Sequence, residues 1–188
     1  AGKLRLDDPV EKFLPWFKIQ KTAPLGPDIT IEGLLTHASG LPRESEYPYW
    51  SAPDYAFPTR EQVKEKIAIQ QTLYPAESHF QYSNLGLTLA GEVVAAASGE
   101  PYDQYVKSYI LGPLGLTGTT PEIPADQREN RLATGYSILT RDGEPKAMPF
   151  FQARGIAPAA GYASTAEDLA RFASWQFRLL STGGAEIL

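Results

Sequence analysis

Apolar side chains recur at helical spacing over residues 84–98, which makes this the clearest structural element in the chain. Leu85, Leu89 and Val93 fall on one face, and a single charged residue interrupts the stretch. Spacing of this kind is typical of an amphipathic helix, and the scarcity of charge indicates burial on nearly all sides. Gly99 suits the C-terminal cap because glycine adopts the left-handed conformation without strain. We therefore predict a buried central helix here.

Capping residues mark the starts of further helices. Thr30 precedes a short helix predicted over 31–37,. Thr59 and Gln62 form a capping box for a helix predicted over 60–71,. A helix start at Asp7-Asp8-Pro9 opens a short segment that ends at Pro15,. These segments predict a mainly helical fold.

Two more helices are predicted in the second half of the chain, over 101–110 and from a capping box at Ser164-Thr165-Ala166-Glu167 to about Leu180,. In the last helix the apolar periodicity predicts four residues pointing inward. These are Leu169, Phe172, Ala173 and Leu180. Residues 133–139 have strand character, and Arg141-Asp142-Gly143-Glu144 carries the Asp-Gly signal of a hairpin turn,. The expected fold is mainly α with a small β portion.

An aromatic-rich loop is predicted over residues 43–58, where five aromatic residues alternate with proline and serine. They are Tyr47, Tyr49, Trp50, Tyr55 and Phe57. A loop of this length in a compact domain is usually functional or packed over a site. Two interpretations stay open: the aromatics line a substrate cleft, or they fold onto the core as a cover.

Composition narrows the classes of function. The 188 residues are 43% hydrophobic and 21% charged, as expected for one domain or a large part of one,. The net charge of -5 and the lack of a Lys/Arg cluster argue against nucleic-acid binding,. The absence of cysteine excludes disulfides, thiolate metal sites and cysteine nucleophiles,. His37 and His79 lie far apart, so we expect neither a metal nor a cofactor.

The polar triplet Tyr82-Ser83-Asn84 stands at the start of the predicted central helix. A helix N-terminus supplies partial positive charge and unpaired N–H groups, which favour an anion such as a phenolate. A phenolate can act as a general base toward a hydroxyl nucleophile. Taken alone, the triplet favours the other interpretation, a packed core tyrosine followed by a capping asparagine. Its neighbours decide between these interpretations.

Five ordered segments of the chain resemble the serine β-lactamase-like family, which includes class C β-lactamases, D-alanyl-D-alanine carboxypeptidases and related esterases. The matching segments are residues 2–10, 29–42, 80–86, 113–116 and 158–172. The resemblance implies an α/β serine β-lactamase-like (DD-peptidase) fold, of which this chain supplies the helical subdomain and an adjoining part. It also implies that Tyr82 is a base or proton relay and that Asn84 contacts the substrate and a catalytic lysine. It implies no cofactor.

The chain departs from the family pattern at two of the three catalytic motifs. No Ser-x-x-Lys occurs in it, and neither Lys-Thr-Gly nor His-x-Gly is present on a predicted strand,. In the family the first motif precedes the segment at residue 2, and the third would follow residue 188. We therefore expect residues 1–188 to be a single incomplete domain, the central part of such a hydrolase. Residues 1–188 alone are expected to be inactive.

The resemblance leaves three functions in view. The first is a serine hydrolase that acts on an amide or ester bond, in a β-lactam, a D-amino-acid peptide or an ester, through an acyl-enzyme. The alternatives are a penicillin-recognising sensor and a non-catalytic helical interaction domain. The expected partners are a small-molecule or peptide substrate and the missing parts of the same enzyme, with no nucleic acid and no transmembrane segment. The family also implies a secreted or periplasmic location.

Overall fold

The structure is a computed structural model that describes residues 2–51, 55–138, 143–183 and 187. It is 41% helical with little strand, which confirms the mainly helical prediction. The α-helices are α1 (Ile31–Leu35), α2 (Arg60–Ile67), α3 (Asn84–Ser98), α4 (Tyr102–Val106), α5 (Arg128–Arg131), α6 (Ala157–Ala160) and α7 (Ala166–Thr182). Short 3-10 helices are formed by Val10–Lys12, Ala125–Gln127 and Arg154–Ile156.

Helix α3 is the centre of the fold, as its sequence pattern predicts. It packs against α1, α4 and α6. Leu85, Leu89 and Val93 are buried in the main hydrophobic cluster, together with Leu34 of α1. The helix ends at Gly99, whose φ of 81° is in the left-handed region that favours glycine,. The residue before α3 is Ser83, so the packing of α3 fixes the position of the polar triplet.

Glycine allows α3 and α6 to approach closely. A Cβ added at Gly91 would lie 2.3 Å from Pro158 Cγ. At Gly86, the corresponding Cβ would meet Ser83 at 3.4 Å, an ordinary contact. The two glycines of one helix therefore differ, because only Gly91 is required by a neighbouring element.

Helix boundaries differ from prediction at several ends. Helix α2 has the predicted capping box, with Thr59 Oγ1 accepting from the Gln62 N–H, but it ends at Ile67 instead of residue 71. Helix α1 ends at Leu35, two residues short of the predicted end. The helix predicted over 101–110 is α-helical only as far as Val106 and continues as a π-helix over Lys107–Leu111. After α2, Ala68 and Ile69 continue the apolar pattern, which explains the overextension of that helix.

Helix α7 departs most from prediction. Its N-cap is Thr165, which accepts from the Asp168 N–H, so the cap lies one residue after the predicted Ser164 and the predicted Ser164–Glu167 capping box is wrong. Leu169, Phe172 and Leu180 are 60%, 38% and 84% exposed, and the prediction that they point inward is wrong. The prediction for Ala173 is wrong in the same way. Asp168 and Trp175 are the buried residues of this helix. Periodicity identifies an apolar face, whereas burial depends on which element covers it.

The β portion consists of isolated bridges in the described part of the chain. One of them joins Tyr136 to Ala147 in antiparallel fashion, supported by a Ser137 N–H to Lys146 C=O bond of 2.8 Å. The segments that flank the predicted hairpin turn therefore pair. Residues 139–142, which include the Arg141-Asp142 part of that turn, lie outside the described residues.

Candidate active site

Ser83 anchors the polar triplet to the start of α3. Its hydroxyl accepts from the Gly86 N–H at 2.8 Å and donates to the Pro42 carbonyl at 2.7 Å. The residue is completely buried. Both partners are backbone groups, so the Ser83 hydroxyl, and not the Asn84 side chain, caps the helix and ties it to Pro42,. The cap fixes where α3 begins and thereby where the flanking Tyr82 and Asn84 lie.

Tyr82 presents its side chain at the surface and is 45% exposed. Its ring lies 4.7 Å from the His37 ring, measured between centroids. The Arg43 guanidinium lies over the Tyr82 ring, 5.6 Å from the ring centroid. A cation at this distance is attracted by the ring's π electrons. The phenol is therefore held by two neighbours and remains open to solvent.

His37 contributes to the backbone of the site. Its Nδ1 accepts from the Ser83 N–H at 3.2 Å, and its carbonyl accepts from the Gln81 N–H at 2.8 Å. An imidazole nitrogen that accepts must be unprotonated, so the ring proton lies on Nε2. These contacts give His37 a structural role. It supports the segment that carries Tyr82.

Asn84 is almost completely buried, at 4% exposure, and faces a carboxylate. Its Nδ2 donates to Glu44 Oε1 at 2.6 Å. Trp50 Nε1 donates to the same oxygen at 3.0 Å, and the Tyr49 hydroxyl donates to Oε2. The Tyr49 side chain is fully buried, and burial, followed by the adjacent Glu44 carboxylate, raises the pKa of its phenol above the ordinary value,. Tyr49 is therefore a neutral donor.

Sequence reasoning missed Glu44. It lies 40 residues before Asn84 in the chain, within the aromatic-rich loop, and no local motif marks it. The available signal was weak, because Glu44 is one of three acidic residues in this aromatic and proline-rich stretch. The structure brings Glu44 and Asn84 together because the loop folds back over the start of α3.

The aromatic-rich loop forms a cluster with a residue from a distant segment. The Phe57 and Phe151 rings stack with centroids 4.8 Å apart and planes 7° from parallel. Trp50 meets Phe57 edge-on at 5.0 Å. Phe57 is buried, whereas Trp50 is 45% exposed. The loop is thus partly a cover over the core, at Phe57, and partly exposed, at Trp50. That its aromatics line a substrate cleft stays a prediction.

A cleft of about 410 Å³ lies between residues 148–153, 132–135 and 160–163. Arg128 borders it, with its guanidinium 4.5 Å from the centroid of the Phe150 ring. Gly161 lines the cleft, and a Cβ there would lie 2.5 Å from the Pro121 carbonyl oxygen. Close packing against Pro121 therefore accounts for this glycine without a ligand.

The described residues also bear on metal binding and on membrane insertion. Within them, no group of three or more His, Asp or Glu side chains is arranged to hold a metal ion. No described helix has both the length and the apolar character needed to cross a membrane. The candidate chemistry thus lies in Tyr82 and Asn84, with Glu44 behind the amide.

Comparison with known proteins gives consistent matches over the whole chain. A family model described as "Beta-lactamase" matches residues 1–187. The chain is 31% identical over 167 residues to beta-lactamase-like protein 2 of Dictyostelium discoideum, covering 89% of this chain and 30% of that protein. It is 36% identical over 126 residues to the D-alanyl-D-alanine-carboxypeptidase/endopeptidase AmpH of Escherichia coli (strain K12), covering 67% of this chain and 32% of that protein.

A solved structure agrees with the sequence matches. The fold is similar to that of EstCE1, a hydrolase with promiscuous acyltransferase activity, with a TM-score of 0.78 at 26% identity. The match covers 100% of this chain and 55% of that one. The structural neighbours have the serine β-lactamase-like fold. This chain spans about a third of the length of the curated relatives named above and about half of the EstCE1 chain.

Proposed function

We propose a function for this chain on the premise that it belongs to the beta-lactamase family, whose members are serine hydrolases. The proposed function is to form part of a hydrolase that cleaves an amide or ester bond through an acyl-enzyme. The bond would belong to a β-lactam, a D-amino-acid peptide or an ester. Relatives named as a carboxypeptidase/endopeptidase and as a hydrolase with acyltransferase activity support this range.

In this proposal Tyr82 is the base or proton relay, and Asn84 contacts the substrate and the catalytic lysine. The observation that carries it is the arrangement at the start of α3. The half-exposed Tyr82 phenol lies next to the N-terminus of α3. One residue separates Tyr82 from Asn84, whose Nδ2 donates to Glu44 Oε1 at 2.6 Å. The helix dipole and the Arg43 guanidinium both place positive charge near the phenol,.

The serine and lysine nucleophile pair would come from outside residues 1–188, since the chain contains no Ser-x-x-Lys. We propose that the chain is the central part of the hydrolase domain and that it is inactive when isolated. A strand carrying Lys-Thr-Gly or His-x-Gly would complete the site. The family relationship also supports a secreted or periplasmic location, which cell fractionation with an antibody to the protein would test.

Acylation followed by mass spectrometry tests the proposed function. The full-length protein is incubated with benzylpenicillin, a p-nitrophenyl ester or a D-alanyl-D-alanine peptide, and the intact mass is recorded over time. We expect the protein to gain one acyl group transiently and to release product from at least one of these compounds. The same experiment on residues 1–188 is expected to give no adduct.

Each alternative outcome has a defined meaning. A penicillin adduct that persists without product release would identify a sensor and replace the hydrolase proposal. Neither adduct nor product with any of the three compounds would favour the helical interaction domain. Stoichiometric labelling of residues 1–188 would contradict the proposed inactivity of the isolated chain.

A further inference from the structure

The Glu44 carboxylate collects hydrogen-bond donors from three side chains. Oε1 accepts from Asn84 Nδ2 at 2.6 Å and from Trp50 Nε1 at 3.0 Å, while Oε2 accepts from the Tyr49 hydroxyl. The Arg43 Nε also lies 3.4 Å from Oε1. The side chain of Glu44 is only 19% exposed. These donors offset the cost of removing the carboxylate from water.

The backbone of Glu44 is fixed as well. Its carbonyl accepts from Gln70 Nε2 at 3.2 Å, and the carbonyl of the preceding Arg43 accepts from the Leu85 N–H at 3.2 Å. The carboxylate therefore approaches the first turn of α3 from a loop anchored on both sides. A negative charge at this end of a helix is stabilised by the helix dipole.

An ionised carboxylate accepts hydrogen bonds and cannot donate them. The Asn84 amide must therefore turn its NH₂ group toward Glu44, and its Oδ1 is directed away from that contact. Among the described residues, none donates a hydrogen bond to Oδ1. The amide thus has one orientation, in which Oδ1 and the second N–H of Nδ2 are left to meet other groups,.

We propose that Glu44 is a positioning residue, which orients the Asn84 amide so that Oδ1 accepts from an N–H or ammonium group of the assembled site. This inference rests on the proposed function, in which Asn84 contacts the substrate and the catalytic lysine. The structure adds the direction of the contact and the residue that sets it. It also connects Tyr49 and Trp50 of the aromatic-rich loop to the site through the same carboxylate.

Replacing Glu44 by glutamine would remove this control with little change in size. A glutamine has one acceptor oxygen, whereas three side-chain donors face this position. Its NH₂ group can also donate, so Asn84 is able to turn its oxygen inward. The single orientation of the amide is then lost. Misplacement of groups in a site by about 1 Å can lower rates by about 10²-fold.

A double-mutant cycle in the full-length protein tests the proposal. The variants are Asn84→Ala, Glu44→Gln and the two combined, with kcat/KM measured on whichever ester, lactam or peptide the wild type turns over. We expect each single substitution to lower kcat/KM by about tenfold or more. The combined variant is expected to match Asn84→Ala, because Glu44 acts through Asn84. Glu46→Gln, at an exposed position of the same loop, is the matched control and should retain wild-type activity.

The outcomes separate this proposal from the function on which it rests. Loss with Asn84→Ala but not with Glu44→Gln would overturn the positioning role and leave the proposed function intact. If the kcat/KM losses of the two single variants multiply in the combined variant, the positioning role is also overturned, because Glu44 then acts independently of Asn84. Unchanged kcat/KM in Asn84→Ala would overturn the role of Asn84 in the proposed function and in this inference. If Glu44→Gln fails to fold, Glu44→Asp replaces it; the shorter side chain keeps the charge but withdraws it from Asn84, and the same cycle is expected.

Discussion

Gly91 is the position where α3 is most sensitive to a single added methyl group. In the Gly91→Ala variant, the new Cβ would lie 2.3 Å from Pro158 Cγ and 2.5 Å from Pro158 Cβ. Carbon atoms in favourable contact are about 3.5–4.0 Å apart, so both distances are short by about 1 Å or more. The proline ring is rigid, and relief requires α3 and α6 to move apart.

The magnitude follows from two opposing effects. Overpacking of a close contact typically costs about 1–3 kcal/mol. Alanine in place of glycine in a helix interior stabilises the helix by about 1 kcal/mol. The overlap with two ring atoms places the cost at the upper end, so we expect the free energy of unfolding of Gly91→Ala to fall by about 2 kcal/mol.

Urea unfolding of the full-length protein, followed by circular dichroism, measures this change. Gly86→Ala is the matched control, because its Cβ would lie 3.4 Å from Ser83 and meet no backbone atom closer than 3.6 Å. Its unfolding free energy is expected to be unchanged or to rise by up to about 1 kcal/mol. If Gly91→Ala is as stable as wild type or as Gly86→Ala, the close α3–α6 contact is wrong.

Two other substitutions test the caps that set the helix starts. Ser83→Ala removes a buried hydroxyl that caps α3 through the Gly86 N–H and binds the Pro42 carbonyl. We expect the free energy of unfolding, measured with urea, to fall by about 2–4 kcal/mol. A fall of less than about 1 kcal/mol would contradict the proposed contact between Ser83 and Pro42. Thr59→Ala breaks the exposed capping box of α2. We expect the free energy of unfolding to fall by about 1 kcal/mol in the same assay. An unchanged value would refute the role of Thr59 as a cap.

Local sequence signals predicted the part of the fold that depends on local contacts. The bounds of α3, from Asn84 to Ser98, agree with prediction because a buried cap, continuous helical periodicity and Gly99 all act within a few residues. The capping box at Thr59 and Gln62 was predicted for the same reason. The end of α2 was not, since Ile67 is followed by residues that are apolar enough to continue the pattern.

Long-range contacts were beyond the sequence patterns. The inward direction of Leu169 and Phe172 was predicted from period alone and is wrong. Glu44 meets Asn84 across 40 residues, and Phe151 joins the aromatic cluster from about 100 residues away. Only the fold brings these side chains together. Tyr82 and Asn84 were identified because they lie two positions apart in one sequence motif, and their catalytic roles stay predictions.

The most direct test of the proposed function is the Tyr82→Phe substitution in the full-length protein. It removes only the phenolic hydroxyl and leaves the ring between His37 and Arg43. Tyr136→Phe is the matched control at another exposed tyrosine. Because general base catalysis contributes about 10²- to 10⁴-fold, we expect kcat to fall at least tenfold in Tyr82→Phe and to stay at the wild-type value in Tyr136→Phe. An unchanged kcat in Tyr82→Phe would contradict its role as the base.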